Sequence, residues 1–242
     1  MPARLSIVIP AYNEEAFIGT LLDRISAVDL EPLGLDKELI VVDDCSRDRT
    51  ASIAELHEGV RVFRQPTNGG KGAAVRTGIG IATGEYLLIQ DADLEYDPRD
   101  YLPMIEALQG GRGDIIYGSR YLKYPDRGVI ANLLGGKHAG QSLPAYLGGQ
   151  SLSFVALLCT GRYLTDTVTA FKLFRREFLL SLNLQTSGFE LDHEITAKAA
   201  ARGMRITEVP IRYYPRSKAE GKKIGLKDWF RGTRTFWAYR HG

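Results

Sequence analysis

At 242 residues, with 44% hydrophobic and 25% charged residues, the chain suits one large globular domain, and its two distant cysteines, Cys45 and Cys159, exclude a disulfide framework. The net charge is only +2, but from Arg216 onward eight Lys and Arg face Glu220 and Asp228, a balance of +6 that leaves −4 on the 215 residues before it. Such a tail is expected to meet something anionic, the two separated cysteines predict a reducing, cytoplasmic setting, and direct entry into a strand at Leu5 is expected to leave no room for a signal peptide.

Leu5 to Ile9 reads as a strand, followed by Pro10-Ala11-Tyr12-Asn13-Glu14-Glu15, in which Asn13 is expected to cap a helix carrying Phe17, Ile18, Leu21, Leu22, Ile25 and Val28 on one face. A second strand, Glu38 to Val42, ends at Asp43-Asp44, and a helix follows to about Glu58. Val60 to Phe63 makes a third strand, the loop Pro66 to Gly72 leads into a helix of small residues ending at Ala82, and Tyr86 to Ile89 is a fourth strand. A helix from Pro98 to Leu108 precedes a fifth strand, Asp114 to Tyr117, which runs into Gly118-Ser119-Arg120. Strand–helix alternation of this kind predicts an α/β fold with a Rossmann-like, mostly parallel sheet flanked by helices.

In such sheets ligands bind beyond the carboxyl ends of the strands. The unusual polar residues sort there: Tyr12, Asn13 and Glu14 after strand one, Asp43 and Asp44 after strand two, Asn68 and Lys71 after strand three, Asp91 and Asp93 after strand four, Arg120 after strand five. Asp91-Ala92-Asp93 alone is weak evidence, because an Asp-x-Asp arises by chance. Placed on a shared rim, the two carboxylates become hard oxygen ligands for Mg²⁺ or Mn²⁺ holding a diphosphate. Lys71 stands in a Gly-rich loop opening a helix, where an ammonium and backbone donors face phosphate together, although the spacing is neither that of a P-loop nor GxGxxG. Asp43 suits a base N–H or a ribose hydroxyl.

The second half is less regular. Residues 139–161 carry no charge, yet Pro144, four glycines and several polar residues make the run too broken for a membrane span, and a lid or interfacial segment is expected, with a core hairpin of helices as the alternative. Asp166 to Phe174 reads as a loop entering a strand, Arg175 to Leu182 as a short helix, Ser187 to Ala201 as a helix beginning Phe189-Glu190-Leu191-Asp192-His193-Glu194, and Arg205 to Tyr213 as a last strand. Asp192 and Glu194 serve equally as favourable acids at a helix start, Asp166 as a turn residue, and Lys172 and Arg175 as a solvated face. On a helix, Leu226, Trp229, Phe230, Thr233, Phe236 and Trp237 share one side flanked by Lys227, Arg231 and Arg234, which suits a membrane surface or docking on the domain.

The segments VIPAYNEE, VVDDCSRDRT, NGGKGAAVRTGIGIATGEYLLIQDADLEYDP, YGSRY, LTDTVTAFKLFRRE, GFELDHEITAKAAARGMRITEVPIRYYPRS and EGKKIG together resemble the family 2 glycosyltransferases of the GT-A fold, in particular the dolichyl- or polyprenyl-phosphate mannose and glucose synthases. The resemblance spans most of residues 5–225. It implies a GT-A catalytic domain over residues 1–215, with a nucleotide-binding half to about residue 120 and an acceptor half to 215, followed by a basic amphipathic segment over 216–242. It implies a nucleotide-sugar donor held by Pro10, Ala11, Tyr12, Glu14, Asp43 and Lys71, with Asp44, Asn68, Gly72, Asp91 and Ala92 in the same segments. A divalent ion, Mg²⁺ or Mn²⁺, would be managed by Asp91 and Asp93, with Glu95 where relatives often carry Gln.

Transfer would then go with inversion, Asp93, Asp192 and Arg120 being the residues nearest the chemistry. A lipid-phosphate acceptor needs no base and would be held by Arg120, Arg216 and Lys222. A hydroxyl acceptor would need Asp192 as base, His193 being only its neighbour. A non-catalytic sugar-nucleotide-binding module is the alternative of another class, and no nucleic-acid partner is expected. Donor base, sugar and oligomeric state stay open.

Overall fold

The computed structural model describes residues 3–122, 143–215 and 226–241. Its elements are β1 (Ala3–Ala11), α1 (Ile18–Ser26), β2 (Leu35–Asp43), α2 (Thr50–Glu55), β3 (Val60–Arg64), α3 (Lys71–Ile81), β4 (Tyr86–Ile89), α4 (Tyr101–Gln109), β5 (Ile115–Ser119), α5 (Leu143–Thr160), β6 (Lys172–Arg175), α6 (Arg176–Ser181), α7 (Leu191–Ala201), β7 (Ile206–Pro210) and α8 (Leu226–Tyr239). The strands form one seven-stranded sheet in the order β3-β2-β1-β4-β6-β5-β7. Every pairing is parallel except those of β6, which runs antiparallel between β4 and β5.

Because neighbouring residues of a strand face opposite ways, the apolar runs feed two cores. Leu5, Ile7 and Ile9 of β1 join Leu39, Val41, Leu88 and Ile116 on the face covered by α1 and α4, whose Leu21, Leu22, Ile25, Met104 and Ile105 are buried there. Val8, Ile40, Val42, Leu87, Ile89 and Ile115 face the other way, against Val75 and Ile79 of α3 and Leu191 and Ile195 of α7. A smaller cluster of Ala156, Ala197 and Phe236 joins α5, α7 and α8.

One polar group is buried in the end of the sheet away from the strand carboxyl termini. Glu38 accepts from Ser6 Oγ at 2.5 Å, Thr83 N at 2.8 Å and Arg61 Nη1 at 2.6 Å. Burial alone would raise its carboxyl, but these bonds outweigh it and hold the pKa below the ordinary value. Its contribution is therefore complete at neutral pH and is lost as pH falls through that lowered pKa. Glu38→Ala is expected to reduce stability by about 2–3 kcal/mol in urea denaturation, through orphaned Ser6 and Thr83 donors, with nucleotide affinity of the folded protein unchanged.

Of the uncharged stretch, residues 139–142 lie outside the described residues, and Leu143–Thr160 is an 18-residue helix. Pro144 stands in its first turn, where a missing N–H does no harm. Its hydroxyls are absorbed along the helix, Ser151 Oγ donating to Gly148 O and Thr160 Oγ1 to Ala156 O. Leu152, Ser153 and Ala156 are buried, while Leu147, Phe154 and Leu158 are exposed. Among the described residues no helix is long and apolar enough to cross a membrane.

The aromatic side of α8 is likewise divided. Phe236 is wholly buried and packs edge-on against His193, and half-buried Trp229 donates Nε1–H to Ser151 Oγ at 2.8 Å. Phe230 and Trp237 remain exposed at 66% and 63%.

Candidate active site

The rim begins where β1 and β2 end. Pro10 and Ala11 are buried strand residues, and half-buried Tyr12 and Glu14 follow them. Asn13 does not cap α1, which starts at Ile18 without a side-chain cap. It takes a positive φ of 55° instead. From that turn its Oδ1 accepts from Arg47 N at 2.9 Å, and its own N–H donates to Ser46 Oγ at 3.0 Å. The two loops are thereby stitched together beside Asp43. Asp43 Oδ2 accepts from Ser46 N at 3.2 Å, whereas its Oδ1 is buried and has no hydrogen-bond partner among the described residues. A buried acceptor left without a partner asks for a donor, and a nucleobase N–H or ribose hydroxyl would supply one.

Asp44 does something else. Its carboxylate accepts from Gly69 N, Gly70 N and Gln65 Nε2 at 2.7–2.8 Å, and its carbonyl accepts from Asn68 Nδ2 at 3.1 Å. Asp44 and Asn68 thus shape the glycine loop from within. Gly72 belongs to the same packing: a Cβ there would lie 2.8 Å from the Thr186 carbonyl oxygen, so the start of α3 closes directly on the loop before α7.

Lys71 opens α3 and reaches across the rim. Its Nζ lies 2.7 Å from Asp91 Oδ1 and 3.6 Å from Asp192 Oδ2. Burial would lower the ammonium, but Asp91, Asp192 and Asp93 outweigh burial and raise its pKa, so it stays charged. Asp192, on the first turn of α7, is held on its other side by the wholly buried Lys172 of β6, Nζ to Oδ1 2.6 Å. Burial would raise Asp192, yet Lys172 and Lys71 keep its pKa below the ordinary value. A carboxylate so held is a poor proton acceptor. Lys172, which the sequence left as part of a solvated face, is instead the buried support of the site. Arg175 is exposed and pairs with Glu85 at 3.0 Å.

Asp91, buried Ala92 and Asp93 leave the carboxyl end of β4 in a tight turn with Leu94 at φ 59°. Asp93 Oδ1 accepts from Glu95 N at 3.1 Å, and Glu95 Oε2 accepts from Tyr213 Oη at 2.8 Å. Both half-buried aspartates offer carboxylate oxygens, the donor chemistry Mg²⁺ and Mn²⁺ prefer, and the adjacent ammonium suits diphosphate oxygens completing an ion's shell. Among the described residues no three His, Cys, Asp or Glu side chains are gathered to hold an ion on their own.

On the far side of the turn stands Arg120. Asp166, fully buried and no mere turn residue, accepts from its Nε at 2.6 Å, Nη2 at 2.7 Å and backbone N at 3.1 Å. The guanidinium lies over Tyr213, 5.1 Å from the ring centroid. His193 is buried with both ring nitrogens unpartnered among the described residues, and burial lowers its pKa to about 4, which makes it a neutral packing residue. Arg216 and Lys222, expected at an acceptor phosphate, lie outside the described residues. Sequence reasoning missed Lys172, Asp166, Tyr213 and Glu208 as parts of this region. The signal for Glu208 was a lone charge inside β7.

A mostly parallel sheet with a carboxylate pair and a lysine on its rim fits the expected GT-A fold. The chain belongs to glycosyl transferase family 2, whose profile matches residues 6–180. It is 32% identical over 232 residues to a dolichol-phosphate mannosyltransferase of Pyrococcus furiosus, covering 92% of this chain and 60% of that protein, so it spans less than two thirds of that relative's length. It is 30% identical to a dolichyl-phosphate beta-glucosyltransferase of Trichomonas vaginalis, covering 91% and 67%. Glucosyl-3-phosphoglycerate synthase of Mycobacterium tuberculosis, crystallised with Mn²⁺, UDP and phosphoglyceric acid, superposes with a TM-score of 0.68 at 21% identity, covering 98% of this chain and 78% of that one. Mannosyl-3-phosphoglycerate synthase of Rubrobacter xylanophilus gives 0.66 at 20%, covering 96% and 71%.

Proposed function

We propose that the protein transfers a hexose, with inversion, from a nucleotide sugar to a polyprenyl or dolichyl phosphate. The observation that carries this reading is Arg120. A half-buried guanidinium is clamped on one edge by Asp166 and joined through Tyr213 to the turn that bears Asp93 and Glu95, which sets a second anion position beside the diphosphate position. Relatives named for dolichol-phosphate mannosyl and glucosyl transfer support the same acceptor class.

In this reading Asp43 Oδ1 takes a donor from the nucleoside, and Tyr12 and Glu14 follow β1 on the same rim. Asp91 and Asp93 would hold the divalent ion, which supplies Lewis-acid charge to the leaving diphosphate. An acceptor phosphate oxygen forms the new bond to C1 of the sugar from the face opposite the departing β-phosphate oxygen, whose growing negative charge Lys71 stabilises by moving off Asp91. The phosphate oxygen is already ionised, so no base is needed. The depressed pKa of Asp192, engaged by two lysines, fits that economy and gives the aspartate the task of orienting Lys71.

A panel of UDP- and GDP-sugars, assayed with Mn²⁺ or Mg²⁺, with and without polyprenyl phosphate, tests the proposal. Transfer should require the prenyl phosphate; transfer to a free sugar hydroxyl with none to prenyl phosphate would overturn it.

A lipid acceptor calls for contact with a membrane surface, and we place that contact on the exposed side chains of α5 and α8: Leu147, Phe154, Leu158, Phe230 and Trp237, with exposed Arg231 and Arg234 close by. Each cation near an anionic bilayer contributes about 1 kcal/mol, so apolar insertion must supplement it. Liposomes rich in anionic lipid should float the protein at low salt and lose it when Phe230 and Trp237 are both changed to Ser. Trp229, bonded to Ser151, is the wrong residue to change. Equal flotation of the double variant would move the contact elsewhere.

A further inference from the structure

Glu208 is an acid within β7, a strand that otherwise presents Ile206, Thr207 and Val209. It has no role in the chemistry above, yet its bonds converge on one place. Its Oε2 accepts from Thr165 N at 2.8 Å, and its Oε1 accepts from Thr165 Oγ1 and Asp166 N, both at 2.9 Å. Thr165 Oγ1 in turn meets Ser119 Oγ at 2.6 Å, and Ser119 Oγ accepts from Tyr121 N at 3.2 Å and Leu122 N at 3.1 Å. Both segments flanking the Arg120–Asp166 pair, the end of β5 and the loop before β6, are therefore fastened at the same knot.

The geometry points to Glu208 as the positioning residue for Arg120: by gripping two successive backbone N–H groups it fixes Asp166, and Asp166 fixes the guanidinium for the acceptor's phosphate. The inference rests on the acceptor reading proposed above. Its chemistry is specific. Asp166 engages the Nε and Nη2 edge of Arg120, which leaves the Nη1 side to face an incoming anion, and a guanidinium fixed in one plane binds phosphate far better than a mobile one. A loosened knot should weaken acceptor binding while the nucleotide end, built on β1, β2 and β4, is untouched.

The environment of Glu208 gives a second readout. Burial raises its pKa to about 7, with the negative charge of Asp166 adding to the effect and the bonds from Thr165 and Asp166 opposing it. Asp166, Tyr117 and Tyr163 are the titratable groups that face it, and both tyrosines stay neutral well beyond this range. A carboxylate accepts all the bonds described, whereas the protonated acid brings a donor into a ring of donors. The knot should therefore tighten as pH rises through about 7 and loosen below it.

Glu208→Gln preserves shape and places an amide N–H against those donors. With a short-chain prenyl phosphate in detergent as acceptor, we expect its KM to rise about tenfold at pH 8, kcat to change less than threefold, and UDP affinity by calorimetry to stay as in the wild type. The rise of acceptor KM below pH 7 in the wild type should flatten in the variant. Thr165→Val, which removes only the hydroxyl bonds, should fall between the two. Unchanged acceptor KM in Glu208→Gln, or an equal loss of UDP affinity, would overturn the positioning role. If the wild type itself fails to use prenyl phosphate, the acceptor reading falls instead. Amide exchange over residues 163–167 then decides the knot: faster exchange in the variant upholds it, and equal exchange removes it.

Discussion

Asp93→Asn should abolish sugar transfer, by on the order of 10³-fold or more, while the melting temperature stays that of the wild type. Asp93 is a half-buried rim residue whose carboxylate accepts from Glu95 N, and an Asn oxygen can accept that bond equally well. What the amide cannot do is carry the charge that holds a divalent ion against a diphosphate. Calorimetry separates this from a packing effect. UDP and GDP should bind wild type well with Mn²⁺ and weakly in EDTA, since Asp91 and Asp93 alone repel them, and Asp93→Asn should lose most of that metal dependence. Equal wild-type affinity in EDTA would remove the ion from the site.

Lys172→Met is expected to cost about 3–5 kcal/mol of stability, because it strips a buried carboxylate of its nearest cation. Among the described residues Asp192 would keep only Lys71 as a cation, 3.6 Å away and shared with Asp91. The paired change Lys172→Met with Asp192→Leu should recover most of that loss and yet remain inactive, with Lys71 no longer aligned. On the acid side the pH dependence follows from the depressed pKa of Asp192, whose contribution is lost as pH falls through that lowered value. Burial lowers the Lys172 ammonium as well, so on the alkaline side the charged pair gives way sooner than an exposed lysine would. If Lys172→Met unfolds at the wild-type urea concentration, the buried pair is not what braces β6 against α7.

Much of this was legible from the sequence, for physical reasons that also explain the rest. Strands buried on both faces read as short apolar runs, and parallel strands deliver the residues after them to one edge, so Asp43, Lys71, Asp91, Asp93 and Arg120 could be placed on a common rim. Their partners across the sheet could not. That Lys71 meets Asp192, far along the chain, depends on α7 packing at the start of α3, and no local pattern encodes it. Asn13 misled because Asn serves equally well as a helix cap and at a positive φ, and only the partner loop decides between them. The uncharged run hid a helix because Gly148, Gly149 and its serines are poor helix formers alone, and packing of Leu152 and Ala156 overrides that propensity. Lys172 looked solvated because a lysine in a strand usually is, and its burial depends on an acid from a different element.

The place of β6 has a consequence for how the protein is made. A ribosome delivers β1 to β5 first, yet β5 and β4 are not neighbours: the strand that joins them, Lys172–Arg175, is encoded more than fifty residues after Ser119. At about 5–20 residues per second, β5 waits roughly 3–10 s for β6, and longer for β7, with neither edge paired. Through that interval the nascent chain exposes strand edges and the apolar faces of Ile115, Ile116 and Tyr117, which are fully buried once the sheet is closed. Synthesis rather than the finished fold is then the moment of greatest exposure to aggregation, and codon choice between residues 120 and 172, or a chaperone acting in that window, should govern yield more strongly than the stability of the mature domain.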